Sequence, residues 1–391
     1  MNFFIRKEEK YAMQEIRFGT TLYVGDESLK RLSDFKNEKI LIVTDSFIAS
    51  SELLSHIKSY IDSSTETMVF SEVIPDPPID NIVAGLESSK GFSATILLAI
   101  GGGSAIDAAK AMLYFGKLTD RFRGIRFVTI PTTSGTGSEV TNFSIITDDE
   151  KGTKYPLITD QILPDEAIID SGLVAGLPPK QTADTGIDVL THAIEAYVST
   201  SANDISDALS EKAICYVFTY LERAYKDGND KVAREKMHMA STMAGMAFNT
   251  ASLGLNHGIA HAAGARWHIP HGRINGILLP NIIRYNAGII EGDYRKNNSP
   301  VANRYAEIAK FLGLNAGNAQ MGVRSLVNAI LALEKTLSIP KSLSEWGVNK
   351  EQFESDKNVI AEAALADRCT ATNPIVPTKE DIISVLGKSF K

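Results

Sequence analysis

Between residues 39 and 130 the apolar positions of this chain fall in short unbroken runs, not in alternation with polar ones. Residues 39–44 (KILIVT), 67–70, 94–100 (ATILLAI) and 126–130 are such runs and predict strands. Helical spacing occupies the intervals at 46–59, 79–88 and 105–114. Strands that alternate with helices and are apolar on both faces predict a parallel sheet with helices on each side. After Pro178-Pro179 the β-branched runs stop and a helical period takes over. The pattern therefore predicts an α/β domain over residues 1–180 and an all-helical domain over 181–391. The length of 391 residues agrees, since it exceeds what one hydrophobic core usually supports.

Two stretches of the helical half stand out by what they place together. In 184–197 (DTGIDVLTHAIEAY), Asp184 predicts an N-cap, and Asp188 and His192 lie four apart on one stripe with Glu195 next along it. Ile187, Leu190, Ile194 and Tyr197 flank the stripe, so the carboxylate is expected to be buried and to need a partner. A cation and an ordinary Asp–His pair answer that need equally well. The other stretch carries no charged residue from Met237 to Ala265. Its length raises a membrane span, but Ser241, Thr242, Asn249, Asn256 and its histidines predict a buried helix of a soluble core instead.

Composition narrows the classes. With 44% hydrophobic and 22% charged residues the chain is an ordinary globular protein. A net charge of −7 excludes a broad nucleic-acid surface, which needs clustered basic residues. Cys215 and Cys369 are far apart and in no CxxC spacing, which fits a reducing cytoplasm and excludes a disulfide framework or a cysteine-ligated zinc. The apolar run at the N-terminus is too short for a signal peptide.

Candidate chemistry collects just past the predicted strands, where ligands of open α/β sheets bind. Gly101-Gly102-Gly103-Ser104 opens a helix, so the backbone can approach an anion whose charge meets the helix N-terminus. This is a diphosphate cradle without the GxGxxG spacing. Pro131-Thr132-Thr133-Ser134-Gly135-Thr136-Gly137-Ser138-Glu139 follows the last run with hydroxyls and glycines suited to phosphate, ribose or carboxamide. Asp45 ends the first run, where a carboxylate accepts from a ribose hydroxyl or simply caps the next helix. The three together predict a dinucleotide.

The histidines supply the second half of the chemistry. Four of the seven fall between His257 and His271. His257 and His261 share a helical face, and His271 follows a proline break that can swing it back toward them. Asp188 and His192 with His257 and His271 make one carboxylate and three imidazoles, a set suited to Fe(II) or Zn(II). His261 would stand beside such a metal, His268 is expected to be structural, and His56 and His238 have no evident partners.

The segments GGGSAIDAAK (101–110), PTTSGTGSEVT (131–141), DTGIDVLTHAIEAYVS (184–199), LGLNHGIAHAAG (253–264), IPHG (269–272) and TNP (372–374) together resemble the iron-containing (group III) alcohol dehydrogenases. The likeness spans nearly the whole chain. Within that family KYPL (154–157), NTASLGLNH (249–257) and IPHG are most like the 1-propanol dehydrogenases of diol-using bacteria. The resemblance implies an α/β dinucleotide-binding domain followed by an all-helical metal-binding one. It implies Asp188, His192, His257 and His271 as ligands of Fe(II), with Zn(II) as the alternative, and His261 near the nicotinamide as a proton relay. Contacts to NAD(H) would come from Asp45, Gly103, Ser104, Thr132, Thr133, Thr136, Lys154 and Leu173. Asp76 stands where many members carry Asn.

The implied reaction interconverts a short-chain aldehyde, propanal first, and its primary alcohol; a 1,3-propanediol or lactaldehyde-type diol dehydrogenase is the alternative. Phe143, with Phe248 nearby, walls a pocket that is polar in some diol-handling relatives, which favours a plain alkyl aldehyde. The acidic Asp45 would repel a 2′-phosphate and so favours NAD(H). The resemblance further implies a cytoplasmic homodimer or larger, with no nucleic-acid or membrane partner. Phe3, Phe4 and Ile5 are candidates for docking on bacterial microcompartment proteins. The rival reading is dehydroquinate synthase, a lyase of related architecture. Its phosphorylated substrate needs basic residues that the stretch from Met237 to Ala265 lacks.

Overall fold

The computed structural model describes residues 15–148, 153–289 and 299–391. Its strands are β1 (Thr21–Val24), β2 (Lys39–Asp45), β3 (Glu66–Val73), β4 (Ile96–Gly101), β5 (Arg126–Pro131), β6 (Phe143–Asp148), β7 (Thr153–Ile158) and β8 (Glu166–Ile169). Six of them form one sheet in the order β1-β8-β5-β4-β2-β3. All of its pairings are parallel. The unbroken apolar runs are explained by burial on both faces. Leu41, Val43, Leu97 and Ala99 pack one way against α3 (Ile79–Ser88) and α4 (Gly103–Leu118). Their neighbours Ile40, Ile42, Leu98 and Ile100 pack the other way, with Ile48, Leu54 and Ile57 of α1 (Ser46–Ser50) and α2 (Glu52–Lys58).

The one helix expected over 46–59 is two. Ser51 adopts an extended conformation between them and its hydroxyl accepts from Leu53 N–H, which ends α1 and caps α2. Strands β1 and β8 were not foreseen, since four residues are too few for a pattern. Nor was the antiparallel pair β6–β7, which stands apart from the main sheet.

The helical half contains α5 (Pro179–Val198), α6 (Asp204–Lys226), α7 (Lys231–Ala251), α8 (Leu255–Trp267), α9 (His271–Asn286), α10 (Pro300–Phe311), α11 (Ala319–Thr336), α12 (Leu343–Trp346), α13 (Lys350–Ala366) and α14 (Lys379–Phe390). They share one apolar core built around Ile187, Leu190, Leu255, Ile259, Ile274 and Leu278. Asp184 is not the N-cap of α5. Pro179 starts the helix earlier, as proline tolerates the first helical position, and the Asp184 carboxylate instead accepts from Arg273 Nε at 2.7 Å. The charge-free stretch is two helices, not one, because Ser252 turns the chain with a φ of 62°. Among the described residues no helix is long and apolar enough to cross a membrane.

The two halves meet where the loop after β5 lies on α7. A side chain at Gly137 would stand 2.6 Å from Gly245 Cα, and one at Gly245 would stand 2.8 Å from Gly137 O. Backbone touches backbone there, so both positions require glycine. Thr242 on the same helix donates to the buried Glu139 carboxylate at 2.8 Å.

Candidate active site

At the carboxyl edge of the sheet, the ends of β2, β4 and β5 bring the expected nucleotide residues together. Thr132 N–H donates to Gly101 O at 3.0 Å. A side chain on Gly102 would come within 3.2 Å of Thr133, and one on Gly103 within 2.7 Å of Thr136. The glycine turn and the hydroxyl loop are thus two walls of one narrow trough, at the N-terminus of α4. Asp45 does cap α1, its Oδ1 accepting from Ile48 N–H at 2.8 Å. Its Oδ2 faces the glycine turn, 3.8 Å from where a side chain on Gly101 would begin. Both readings of Asp45 are therefore compatible, one for each oxygen. Asp76 N–H reaches Ser104 Oγ at 3.4 Å. Leu173 lies in the core beneath this edge with Ile48, Ile100 and Ile130. Lys154 and the residues around Phe3 lie outside the described side chains.

Under the trough sits a buried ionic group that sequence reasoning passed over. Lys110, fully buried, donates to Ser138 Oγ at 3.0 Å, Thr141 Oγ1 at 2.9 Å and Phe143 O at 2.8 Å. Burial pulls its ammonium down to about 8. Asp107, one turn earlier on α4, accepts from Ser138 Oγ at 2.6 Å and Ile145 N–H at 3.0 Å. These bonds tie the hydroxyl loop and the start of β6 to α4. A lysine inside the apolar run AAKAML was the available signal.

Across the cleft, Asp188 and His192 of α5, His257 of α8 and His271 at the first turn of α9 converge. One ligand atom from each lies within 4.8 Å of all the others. Asp188 is 3% exposed, and its Oδ1 stands 3.6 Å from His271 Nε2 and 3.8 Å from His257 Nε2, beyond hydrogen-bond reach. Burial alone would raise the Asp188 carboxyl, but the surrounding imidazoles outweigh it and hold it well below the usual range. Burial also drives His192 down to about 4 and His271 well below the ordinary histidine value. His257 differs: burial lowers it, but the Glu195 and Asp188 carboxylates outweigh that and raise it to about 9. A buried carboxylate among three imidazoles, spaced wider than hydrogen bonds, is an arrangement that fits a divalent cation.

The rings are held from behind. Glu195 Oε2 is 2.5 Å from His257 Nδ1, and Oε1 accepts from Asn256 N–H at 2.7 Å. The carboxylate fixes Nδ1 as a donor and turns Nε2 toward Asp188, the atom a metal would take on loss of its proton. Asn275, one turn past His271, donates to Asp188 Oδ1 at 2.7 Å and lies 3.2 Å from Nε2 of both His257 and His271. The sequence had placed Glu195 on the Asp188 stripe without a role; Asn275 went unnoticed. His192 is stacked between Phe248 and His257, with ring centres 4.7 and 4.6 Å away.

His261 stacks on His271 at 5.4 Å and pairs through Nδ1 with Asp367 Oδ2 at 2.8 Å. His268 is exposed and ends α8 in the left-handed conformation. His238 finds a partner in Ser134 Oγ, 2.9 Å away. Two cavities lie near the cluster, the first lined by two of its residues and the second reached through Phe248, which stacks on His192. One of about 420 Å³ runs between Thr136, Lys180, Asp188 and His271, on the nucleotide side. The other, about 250 Å³, is walled by Phe143, Phe248, Leu253 and Cys369.

A parallel nucleotide-type sheet beside a helical half that gathers a carboxylate and three imidazoles is the architecture of a metal-linked enzyme of the dinucleotide-binding kind. Residues 19–171 match the family described as iron-containing alcohol dehydrogenase, and residues 182–390 match the C-terminal part of the Fe-containing alcohol dehydrogenase family. The 1-propanol dehydrogenase PduQ of Salmonella typhimurium is 41% identical over 379 residues, covering 96% of this chain and 99% of its own. An NADPH-dependent butanol dehydrogenase of Clostridium saccharobutylicum is 38% identical over 380 residues, covering 92% and 94%. A 1,3-propanediol oxidoreductase structure superposes with a TM-score of 0.86 at 30% identity, covering 97% of this chain and all of the other. A sulfoacetaldehyde reductase from Bifidobacterium kashiwanohense, in complex with NAD+, gives 0.83 at 26% identity, covering 97% and 99%. The chain belongs to the iron-containing alcohol dehydrogenase family and is an oxidoreductase.

Proposed function

We propose that this dehydrogenase reduces a short-chain aldehyde, propanal best, to its primary alcohol with NADH and Fe(II). The observation that carries the reading is the convergence of Asp188, His192, His257 and His271 beside a crevice walled by Phe143 and Phe248. In this reading the four residues hold Fe(II), which the family match supports; their nitrogen and oxygen donors suit Zn(II) as well. Iron there supplies a Lewis acid for the carbonyl oxygen and, in the reverse direction, lowers the pKa of the alcohol. Asp45, Gly103, Ser104, Thr132, Thr133 and Thr136 bind the dinucleotide, with Lys154 and Leu173 as further contacts. Asp367 holds the proton of His261 on Nδ1, which leaves Nε2 as the atom that passes the alcohol proton to and from solvent. Phe143 and Phe248 give the alkyl chain an apolar wall, which supports a plain aldehyde; Asn142, Asn249, Thr250 and Ser252 line the same crevice and are the groups a diol would need. The likeness to PduQ supports work in or beside a microcompartment, and the family likeness supports a homodimer or larger assembly.

Steady-state kinetics of the iron-loaded protein over propanal, 3-hydroxypropanal and the neighbouring C2–C4 aldehydes test the proposal. Propanal with NADH should give the highest kcat/KM. Faster turnover with NADPH would remove the role given to Asp45, and a higher kcat/KM for 3-hydroxypropanal would establish the diol reading instead.

A further inference from the structure

The cysteine spacing led the sequence reading to exclude a cysteine-ligated zinc. The fold overturns that expectation. Cys369 is the second residue of the 3₁₀ turn Arg368–Thr372 just after α13, and this turn packs on α8. One ligand atom each from His261, Asp367 and Cys369 lies within 4.8 Å of the other two. None of the three belongs to the set of Asp188, His192, His257 and His271, yet the groups are neighbours, His261 lying 5.4 Å from His271 between ring centres.

We propose that His261, Asp367 and Cys369 form a second, inhibitory site for a thiophilic divalent cation of the zinc type. The donors are an imidazole, a carboxylate and a sulfur, three ligands that leave a tetrahedral ion one open position. The sulfur distinguishes this set from its all-nitrogen-and-oxygen neighbour and selects a softer ion. The set is reachable: the His261 and Asp367 side chains are 15% and 21% exposed, and Cys369, itself buried, lines the 250 Å³ crevice. It is also preassembled. Asp367 accepts from Cys369 N–H at 2.8 Å and from His261 Nδ1 at 2.8 Å, so one carboxylate already holds both other donors in place. Without a cation, burial keeps the Cys369 thiol protonated. A bound ion displaces that proton to solvent and takes the sulfur as thiolate, with the imidazole neutral. Its charge is then balanced by the thiolate and the Asp367 carboxylate. Occupation would withdraw His261 from proton transfer and narrow the crevice at Cys369, so excess cation should suppress turnover reversibly.

The inference rests on the proposed function only for its inhibitory consequence; the site itself is read by sulfur. Iron-loaded enzyme is titrated with Co(II), whose bond to a thiolate gives near-ultraviolet charge-transfer absorption. One further equivalent of cobalt should bind with that absorption, and aldehyde reduction should fall and return on chelation. Cys369→Ser should lose both the absorption and the extra equivalent while keeping its iron; Cys215→Ser should keep both. Cobalt that merely replaces iron among Asp188, His192, His257 and His271 gives no sulfur band. Binding without the band, a band that survives Cys369→Ser, or a band lost in Cys215→Ser overturns the proposal. A band with unchanged turnover overturns its inhibitory part.

Discussion

At the scale of single residues, Glu195 shows how a side chain off the proposed metal can govern it. Its carboxylate bonds His257 Nδ1 and the backbone N–H of Asn256 at once, so it sets the proton position, the ring angle and the start of α8 together. Glu195→Gln keeps the shape but offers one face of an amide where two acceptors are needed. Iron affinity should fall by about ten- to a hundredfold, measured as iron retained on dialysis against a graded chelator. Retention equal to the parent's would show that Glu195 does not position the ligand. Spacing put Asp188 and His192 on one stripe but left a cation and an ordinary ion pair equally open. Asn275 was not readable, because nothing along the sequence says that an asparagine one turn past His271 would face a carboxylate on another helix.

At the scale of elements, the ligand cluster depends on how closely α9 can approach α5. A side chain at Gly272 would stand 2.0 Å from Asp184 O and 3.2 Å from Asp188 Cβ. Gly272→Ala must push the two helices apart at the point where His271 meets Asp188. A destabilisation of about 1–3 kcal/mol is expected, as for other overpacked sites, together with loss of iron. Urea denaturation and metal analysis on the same preparation check both; a variant with full iron and parent stability would show that the helices can separate freely. The element pattern itself was legible where runs were long. The four strands read from the sequence are in the sheet, and the helix over 79–88 has the bounds its spacing predicts. The misplaced start of α5 has a local cause: Asp184 was read as a cap on its residue type, while its partner Arg273 lies on a helix far along the chain.

At the scale of the molecule, the proposed iron would join α5, α8 and α9, and only the folded chain brings those three helices together. A cation bound to the native state alone stabilises it by mass action, by about 2.7 kcal/mol at a hundredfold excess over Kd. Thermal melting of apo and Fe(II)-loaded protein should therefore differ, with the loaded form melting higher, and Asp188→Ala should abolish the difference. An equal rise in that variant would place the iron elsewhere.

The sequence by itself determined the alternation of buried strands and helices, the glycine turn and hydroxyl loop at the strand ends, and the spacing that puts Asp188 and His192 on one stripe. These are local properties, dictated by side-chain period and backbone freedom over a few residues. Only the tertiary structure decided that Asp45 caps a helix with one oxygen and faces the trough with the other, that Glu195 and Asn275 back the histidines, and that Cys369 and Asp367 lie beside His261. Apart from the cap itself, those relations join residues tens to more than a hundred positions apart. They follow from which helix faces pack together, and the period of any one segment does not contain that information.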